Sequence, residues 1–172
     1  MDPWGSHLPV LVAFAAHAKD SFLELGCGDY STPILHEIYK AKGTKNGSLV
    51  SLENDLGFMA NFLYLQRPWH AFLSVNSWSV DDPRVREILT RGWEVAFVDQ
   101  HPGIHRGSAI ELLRVNARFI IAHDTENPTV YGYEPLLSSF KYRMDYKRFA
   151  FPCPWTTVVS DVRDPAEIFD GR

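Results

Sequence analysis

The sequence predicts an α/β fold built on a mainly parallel, seven-stranded sheet with helices on both faces. Three observations carry this. Short apolar runs rich in β-branched or aromatic residues alternate with longer segments of helical character, the pattern of βαβ units. A glycine pair in Gly26-Cys27-Gly28 follows the first such run and precedes a helix signal. The last two runs are joined by Pro152-Cys153-Pro154, too short for a crossover helix, so they close the sheet as an antiparallel hairpin.

Taken in order, Leu8 to Ala18 is an apolar helix, and Ser21 to Leu25 is the first strand, ending in Gly26-Cys27-Gly28-Asp29. Ser31-Thr32-Pro33 opens a helix that runs to about Lys42, with Pro33 in the first turn, where its missing N–H costs nothing. Gly43 to Gly47 turns the chain, Ser48 to Glu53 is the second strand, and Asn54 to Gly57 leads into a helix ending near Gln66. Ala71 to Val75 is the third strand, and Asp82-Pro83 starts a short helix that stops around Gly92. Trp93 to Val98 is the fourth strand, closed by Asp99; a helix covers Arg106 to Val115, and Arg118 to Ala122 is the fifth strand, closed by His123-Asp124. Pro128 and Gly132 punctuate a loop before a helix over Glu134 to Phe140, and Tyr146 to Phe151 and Thr156 to Asp161 form the hairpin.

A chain of 172 residues suits one domain with one buried core. The expected organisation is a single domain over 1–172, with residues 1–20 as an amino-terminal segment and helix and 21–161 as the core. The composition is 45% hydrophobic and 22% charged, that of a globule. The net charge of −4 and the absence of a basic run argue against a nucleic-acid partner. No stretch reaches the roughly 18 to 20 apolar residues of a membrane span, and Leu8 to Ala18 has no basic region before it and is a poor signal peptide. Cys27 and Cys153 form no CxxC or zinc spacing, so a reduced, cytoplasmic protein is expected. Oligomeric state leaves no signal.

Phe22-Leu23-Glu24-Leu25-Gly26-Cys27-Gly28, followed by Glu53 at the end of the second strand, resembles the first two motifs of class I S-adenosylmethionine-dependent methyltransferases. Phe97-Val98-Asp99, Glu111 and Ile120-Ile121-Ala122-His123-Asp124 are similar to the catechol O-methyltransferase-like branch of that family. The resemblance spans Ser21 to Asp161. It implies a Rossmann-like methyltransferase fold and S-adenosylmethionine as cofactor, held by Glu24, Gly26, Cys27, Gly28, Ser31, Thr32, Glu53, Asn54, Ser77, Trp78 and Asp99.

Physical reasons support that assignment. Ligands of open parallel sheets sit at the carboxyl ends of strands near the point where strand order reverses, and glycine lets the backbone turn sharply and approach a ligand closely. A carboxylate at Glu53 can accept both hydroxyl protons of an adenosine ribose. Ser31 replaces the third glycine of the dinucleotide fingerprint, which favours a ligand without a pyrophosphate. Trp78 would either stack on the adenine ring or fill a core edge. Cys27 belongs to packing rather than to nucleophilic chemistry.

Asp99 and Asp124 end neighbouring strands about 5 Å apart, and two such carboxylates repel unless a cation or a shared proton intervenes. In the catechol-type branch the matching acids bind a divalent, magnesium-like ion. The present sequence has Thr125 where an asparagine commonly follows, and Pro102 near the position of the familiar lysine base. His101 is the candidate base, since a neutral imidazole can take a proton near pH 7, with Asp99 beside it and His105 and His123 as second choices. His7 would fold over the cofactor or lie on the surface. The expected acceptor is a hydroxyl of a small molecule or sugar, against a wall to which Trp4, Trp78 and Trp155 could contribute. An NAD(P)-dependent oxidoreductase, a non-catalytic S-adenosylmethionine-binding protein and a metal-dependent hydrolase using Asp99, Asp124, His101 and His123 are the alternatives.

Overall fold

The computed structural model describes residues 5–19, 21–45, 48–127, 129–147 and 153–170. Trp4, Gly47, Pro128 and residues 148–152, which figured in the expectations above, lie outside them.

The chain enters through α1 (Leu8–His17) and then alternates strand and helix: β1 (Phe22–Leu25), α2 (Ser31–Lys42), β2 (Leu49–Glu53), α3 (Leu56–Ala60), β3 (His70–Ser74), α4 (Pro83–Leu89), β4 (Trp93–Val98), α5 (Arg106–Leu113) and β5 (Ala117–His123). It finishes with β6 (Tyr142–Tyr146), β7 (Thr156–Ser160) and α6 (Ala166–Phe169). The seven strands form one sheet in the order β3-β2-β1-β4-β5-β7-β6. β1 to β5 pair in parallel, and β7 slots antiparallel between β5 and β6. The expected sheet and its antiparallel close are therefore present.

Alternation along β1 sends neighbouring residues to opposite faces. Leu23 and Leu25 join Leu52, Val98 and Ile110 on the face covered by α4 and α5. Phe22 joins Phe14, Leu35 and Tyr39 on the face covered by α1 and α2. Because both faces are covered, β1 and β2 are buried throughout, and their apolar residues fall on both faces, interrupted by Glu24, Ser51 and Glu53. The capping signals also hold: Asp82 accepts from the Arg84 and Val85 amides ahead of Pro83, and Gly43 ends α2 with φ of 62°. Lys42, in the last turn of α2, donates to the carbonyls of Ala15 and Ala18 and ties α1 down at its carboxyl end.

Three boundaries differ from expectation. The helix expected to end near Gln66 stops at Ala60 and continues only as a 3-10 turn at Leu63–Leu65. The segment expected as a helix over Glu134 to Phe140 holds one 3-10 turn, Leu137–Ser139. Pro135 lacks an amide hydrogen, and the Ser138 and Ser139 hydroxyls bond locally to Glu134 and to the Leu136 carbonyl, which competes with helix continuation. β6 starts at Tyr142 and its last residue is Tyr146, where the strand was expected to begin. Charges at Arg143 and Asp145 alternate with Tyr142, Met144 and Tyr146 along it, as suits an edge strand. No described helix is long and apolar enough to cross a membrane.

Candidate functional site

The registers Leu25↔Leu52 and Leu25↔Val98 end β1, β2 and β4 at one level, so Gly26, Glu53 and Asp99 emerge side by side. Strand order reverses between β1 and β4, and such a reversal opens a crevice at the strands' carboxyl ends. Gly26 has φ of 88°, and a Cβ there would lie 2.7 Å from the Gln100 Cα and 2.9 Å from the Asp99 carbonyl oxygen. Its bareness lets the loop pass against the exit of β4, a closer constraint than approach to a ligand. The Gly28 amide donates to the Thr32 hydroxyl (2.9 Å), which donates to Glu24 (3.0 Å). Glu24 is fully buried beneath the loop. Loss of water outweighs the hydrogen bonds from Ser31, Ser51 and Thr32 and raises its pKa to about 7.

Glu53 is held by three amides: Cys27 donates to one carboxylate oxygen (2.9 Å), and Asn54 (2.8 Å) and Asp55 (2.9 Å) donate to the other. A carboxylate has roughly four acceptor positions, so about one remains for an incoming hydroxyl. Glu53 lines a cavity of about 310 Å³ with Gly26, Cys27, Asn54, Asp55, Phe58, Asp99 and His101. Burial, with Glu24 and Glu53 nearby, pushes the Cys27 thiol far up, so it stays protonated and acts as packing.

Ser77 and Trp78 do not line this cavity. The Trp78 side chain is 2% exposed, and its indole N–H donates to the Asn54 side-chain oxygen and the His101 carbonyl (both 2.8 Å). Of the two roles expected for it, the core edge is what its placement matches, with an added tether between two loops. The aromatic ring that does face the cavity is Phe58, which the sequence reading missed. Asp55 caps α3 by accepting from the Phe58 amide at 3.0 Å, and this turn sets the ring in place.

A second cavity, of about 510 Å³, adjoins the first through Asp99 and His101. Its walls include His7, Gly28, Tyr30, Ser31, Arg106, His123, Asp124 and Tyr131. Arg106, on the first turn of α5, reaches under both acidic strand ends. It meets Asp99 at 2.9 Å and Asp124 at 2.8 Å. Its remaining donors go to the carbonyls of Gln100 (2.8 Å), Asp99 (3.0 Å) and His123 (3.4 Å). A guanidinium has five N–H groups, so Arg106 is committed to bracing the site. Asp124 adopts φ of 57°, a conformation unusual for a side-chain-bearing residue, and this aims its carboxylate at the brace.

His123 lies 3.3 Å from Asp99 and 3.5 Å from Asp124. Burial disfavours its charge, but the two carboxylates outweigh burial and raise its pKa. Burial likewise pushes Asp99 upward, yet His123 and Arg106 prevail and hold it below its ordinary range. His7 packs edge-on against His123, with ring centres 4.6 Å apart. Burial and the neighbouring His123 lower its pKa to about 4, leaving it neutral. His101 is exposed at the junction of the two cavities.

The structure thus gathers Gly26, Cys27, Gly28, Ser31, Glu53, Asn54, Asp99, His101 and Asp124 around one cleft and puts Glu24 and Thr32 directly beneath it. The fit of a magnesium-like ion at Asp99 and Asp124 is poor: a hard cation needs several oxygen ligands, and Arg106 already takes one oxygen of each acid. Thr125 accepts from the Thr157 hydroxyl at 2.8 Å and belongs to the sheet edge. Arg106 was missed because nothing in Gly103-Ile104-His105-Arg106 marks one arginine as buried; the signal was the pair of acids that required a cation.

No family model matches the sequence, and no curated protein matches it. Solved structures do. An O-methyltransferase from Bacillus cereus in complex with S-adenosylhomocysteine superposes with a TM-score of 0.64 at 17% identity, covering 93% of this chain and 81% of that one. A precorrin-6y C5,15-methyltransferase from Geobacter metallireducens gives 0.57 at 10% identity, covering 91% and 88%. A Thermus thermophilus 16S rRNA N2 G1207 methyltransferase, in complex with S-adenosylmethionine and guanosine, gives 0.51 at 8% identity, covering 92% and 40%. The strand order, the antiparallel close and these likenesses agree: the chain has the Rossmann-like fold of class I S-adenosylmethionine-dependent methyltransferases.

Proposed function

We propose that the protein is an S-adenosylmethionine-dependent methyltransferase acting on an oxygen of a small-molecule acceptor. The observation that carries this is the pair of cavities meeting at Asp99 and His101, one floored by an amide-anchored carboxylate and the other by ionised side chains. Glu53 accepts a ribose hydroxyl, Phe58 offers its face to the adenine, and Gly28 and Ser31 border the path of the amino-acid part toward the larger cavity. The bound cofactor would supply an activated methyl group on sulfur. The chain's work is then to hold the acceptor in line, keep water out and remove one proton.

His101, at the junction, takes that proton on a ring nitrogen, and Asp99 supplies negative charge beside it. Arg106 keeps Asp99 and Asp124 apart and fixed, and so acts as a positioning residue. The O-methyltransferase among the similar structures supports oxygen as the acceptor atom. The ion-lined cavity of about 510 Å³ and the net charge of −4 favour a small acceptor over a polyanion. A non-catalytic S-adenosylmethionine-binding protein would keep the Glu53 side of the cleft and show no acceptor-dependent turnover.

Calorimetric titration with S-adenosylmethionine, S-adenosylhomocysteine and NAD tests the reading. The two sulfur compounds should bind and NAD should not, and Glu53→Ala should weaken binding by more than about tenfold, equivalent to about 1.4 kcal/mol. Absence of binding by either sulfur compound would sink the proposal.

A further inference from the structure

We propose that His7, Asp99 and His123 form a binding site for a first-row transition-metal ion of the zinc type, at the floor of the larger cavity. The ligand atoms that the three side chains offer lie within 4.8 Å of one another. Nitrogen and carboxylate ligands sit about 2.0–2.2 Å from a tetrahedral zinc, so two donors on one ion lie about 3.4 Å apart. Side-chain rotations that bring the donors up to about 1.4 Å closer complete the set.

The second observation is independent of that spacing. His7 is 3% exposed and lines the cavity, yet neither of its ring nitrogens has a hydrogen-bond partner. A buried polar group left without a partner bears its full loss of hydration, and buried groups of this kind call for an unseen ligand. The other two members are held in orientation as metal ligands usually are. The Ser6 hydroxyl, which donates to the Pro154 carbonyl at 2.8 Å, sits 3.3 Å from Nε2 of His123. Arg106 grips Asp99 at 2.9 Å.

This site differs from a magnesium pair in both membership and chemistry. Asp124 stays with Arg106, and two imidazoles with one carboxylate suit zinc, iron, cobalt or nickel, whereas magnesium prefers oxygen alone. Three protein ligands leave at least one position open, and the cavity lies over it. If the methyltransferase reading holds, on which this last step rests, the open position takes an acceptor oxygen; a bound cation there eases loss of the hydroxyl proton. Metal binding itself does not depend on that reading.

Chelator-stripped protein titrated with zinc by calorimetry, and with cobalt by visible absorption, tests the site. One equivalent should bind, with cobalt developing ligand-field bands, and millimolar magnesium should not compete. His7→Phe keeps a ring against Phe97 while removing both nitrogens; it should lower zinc affinity by more than about 100-fold, the upper end of what losing an outer-shell partner costs. Glu87→Gln, in an exposed ion pair with Arg91 away from the cavity, should stay within a few-fold of wild type. Circular dichroism and S-adenosylmethionine titration of each variant separate loss of the metal from loss of fold or of cofactor binding. Absence of saturable zinc binding in the wild type, or zinc binding unchanged in folded His7→Phe, overturns the proposal.

Discussion

The two sides of the cleft are built by different means. On the Glu53 side, the parts are backbone amides, two glycines and one carboxylate, supplied by the ends of adjacent strands and the turns that follow them. On the Asp99 side, they are the ionised side chains of Asp99 after β4, Arg106 on α5 and Asp124 after β5, which neutralise one another in the interior with His123 of β5 between the acids. A backbone-made site inherits its shape from the fold and tolerates change around it. A site made of buried ions depends on every member, since removing one leaves the rest charged and dry.

Arg106→Leu should break the comparison hardest. It strands Asp99 and Asp124 in the interior, and a loss of about 3–5 kcal/mol is expected, read from urea denaturation at pH 7. A loss below about 1 kcal/mol would mean that the ions are better solvated than their burial implies.

Glu24→Gln sharpens the comparison from beneath the glycine loop. The folded chain holds the Glu24 proton up to about pH 7, whereas the unfolded chain releases it near 4.5. The folded state therefore binds more protons across that window, and the Glu24 contribution to stability falls as pH rises through it. The variant should gain on wild type by roughly 3 kcal/mol between pH 4 and pH 8, at about 1.4 kcal/mol per pKa unit. Burial lowers the pKa of His70 to about 3 and gives wild type a slope of opposite sign, so only the difference between the two proteins isolates Glu24. A constant gap between their melting curves at every pH would refute the assignment.

Trp78→Phe should have the smallest effect. It removes an N–H shared by Asn54 and the His101 carbonyl while keeping an aromatic ring in the core. About 1 kcal/mol of stability should go, with S-adenosylmethionine affinity changed less than by Glu53→Ala.

What could be read from the sequence follows the same division. Glu53 ends β2, and Gly26 and Gly28 sit one and three residues beyond β1, so placing the strands places them. His7 is remote in sequence from Asp99 and is brought in by the packing of α1 against α2, while Arg106, seven residues from Asp99 and eighteen from Asp124, is turned onto both by the approach of α5 to β4. Trp78 and Phe58 changed places because an aromatic residue near a cleft carries no mark of which way its ring turns. β6 was misplaced because its charged alternation is quieter than the apolar run that follows it.

The buried polar chain under the glycine loop extends past Glu24. Ser51 donates to Glu24 at 2.5 Å and lies 3.0 Å from Nε2 of His70, whose Nδ1 lies 3.1 Å from Nδ1 of His36. With Glu24 ionised, Thr32 and Ser51 both point their protons at it, His70 donates to Ser51, and His36 must supply the proton between the two rings. With Glu24 protonated, its own hydrogen can point at Ser51, and Ser51, His70 and His36 can then reverse together. A single proton gained under the loop is thereby felt as a change of tautomer two strands away, at the β3 edge of the sheet, without any atom heavier than hydrogen having to move.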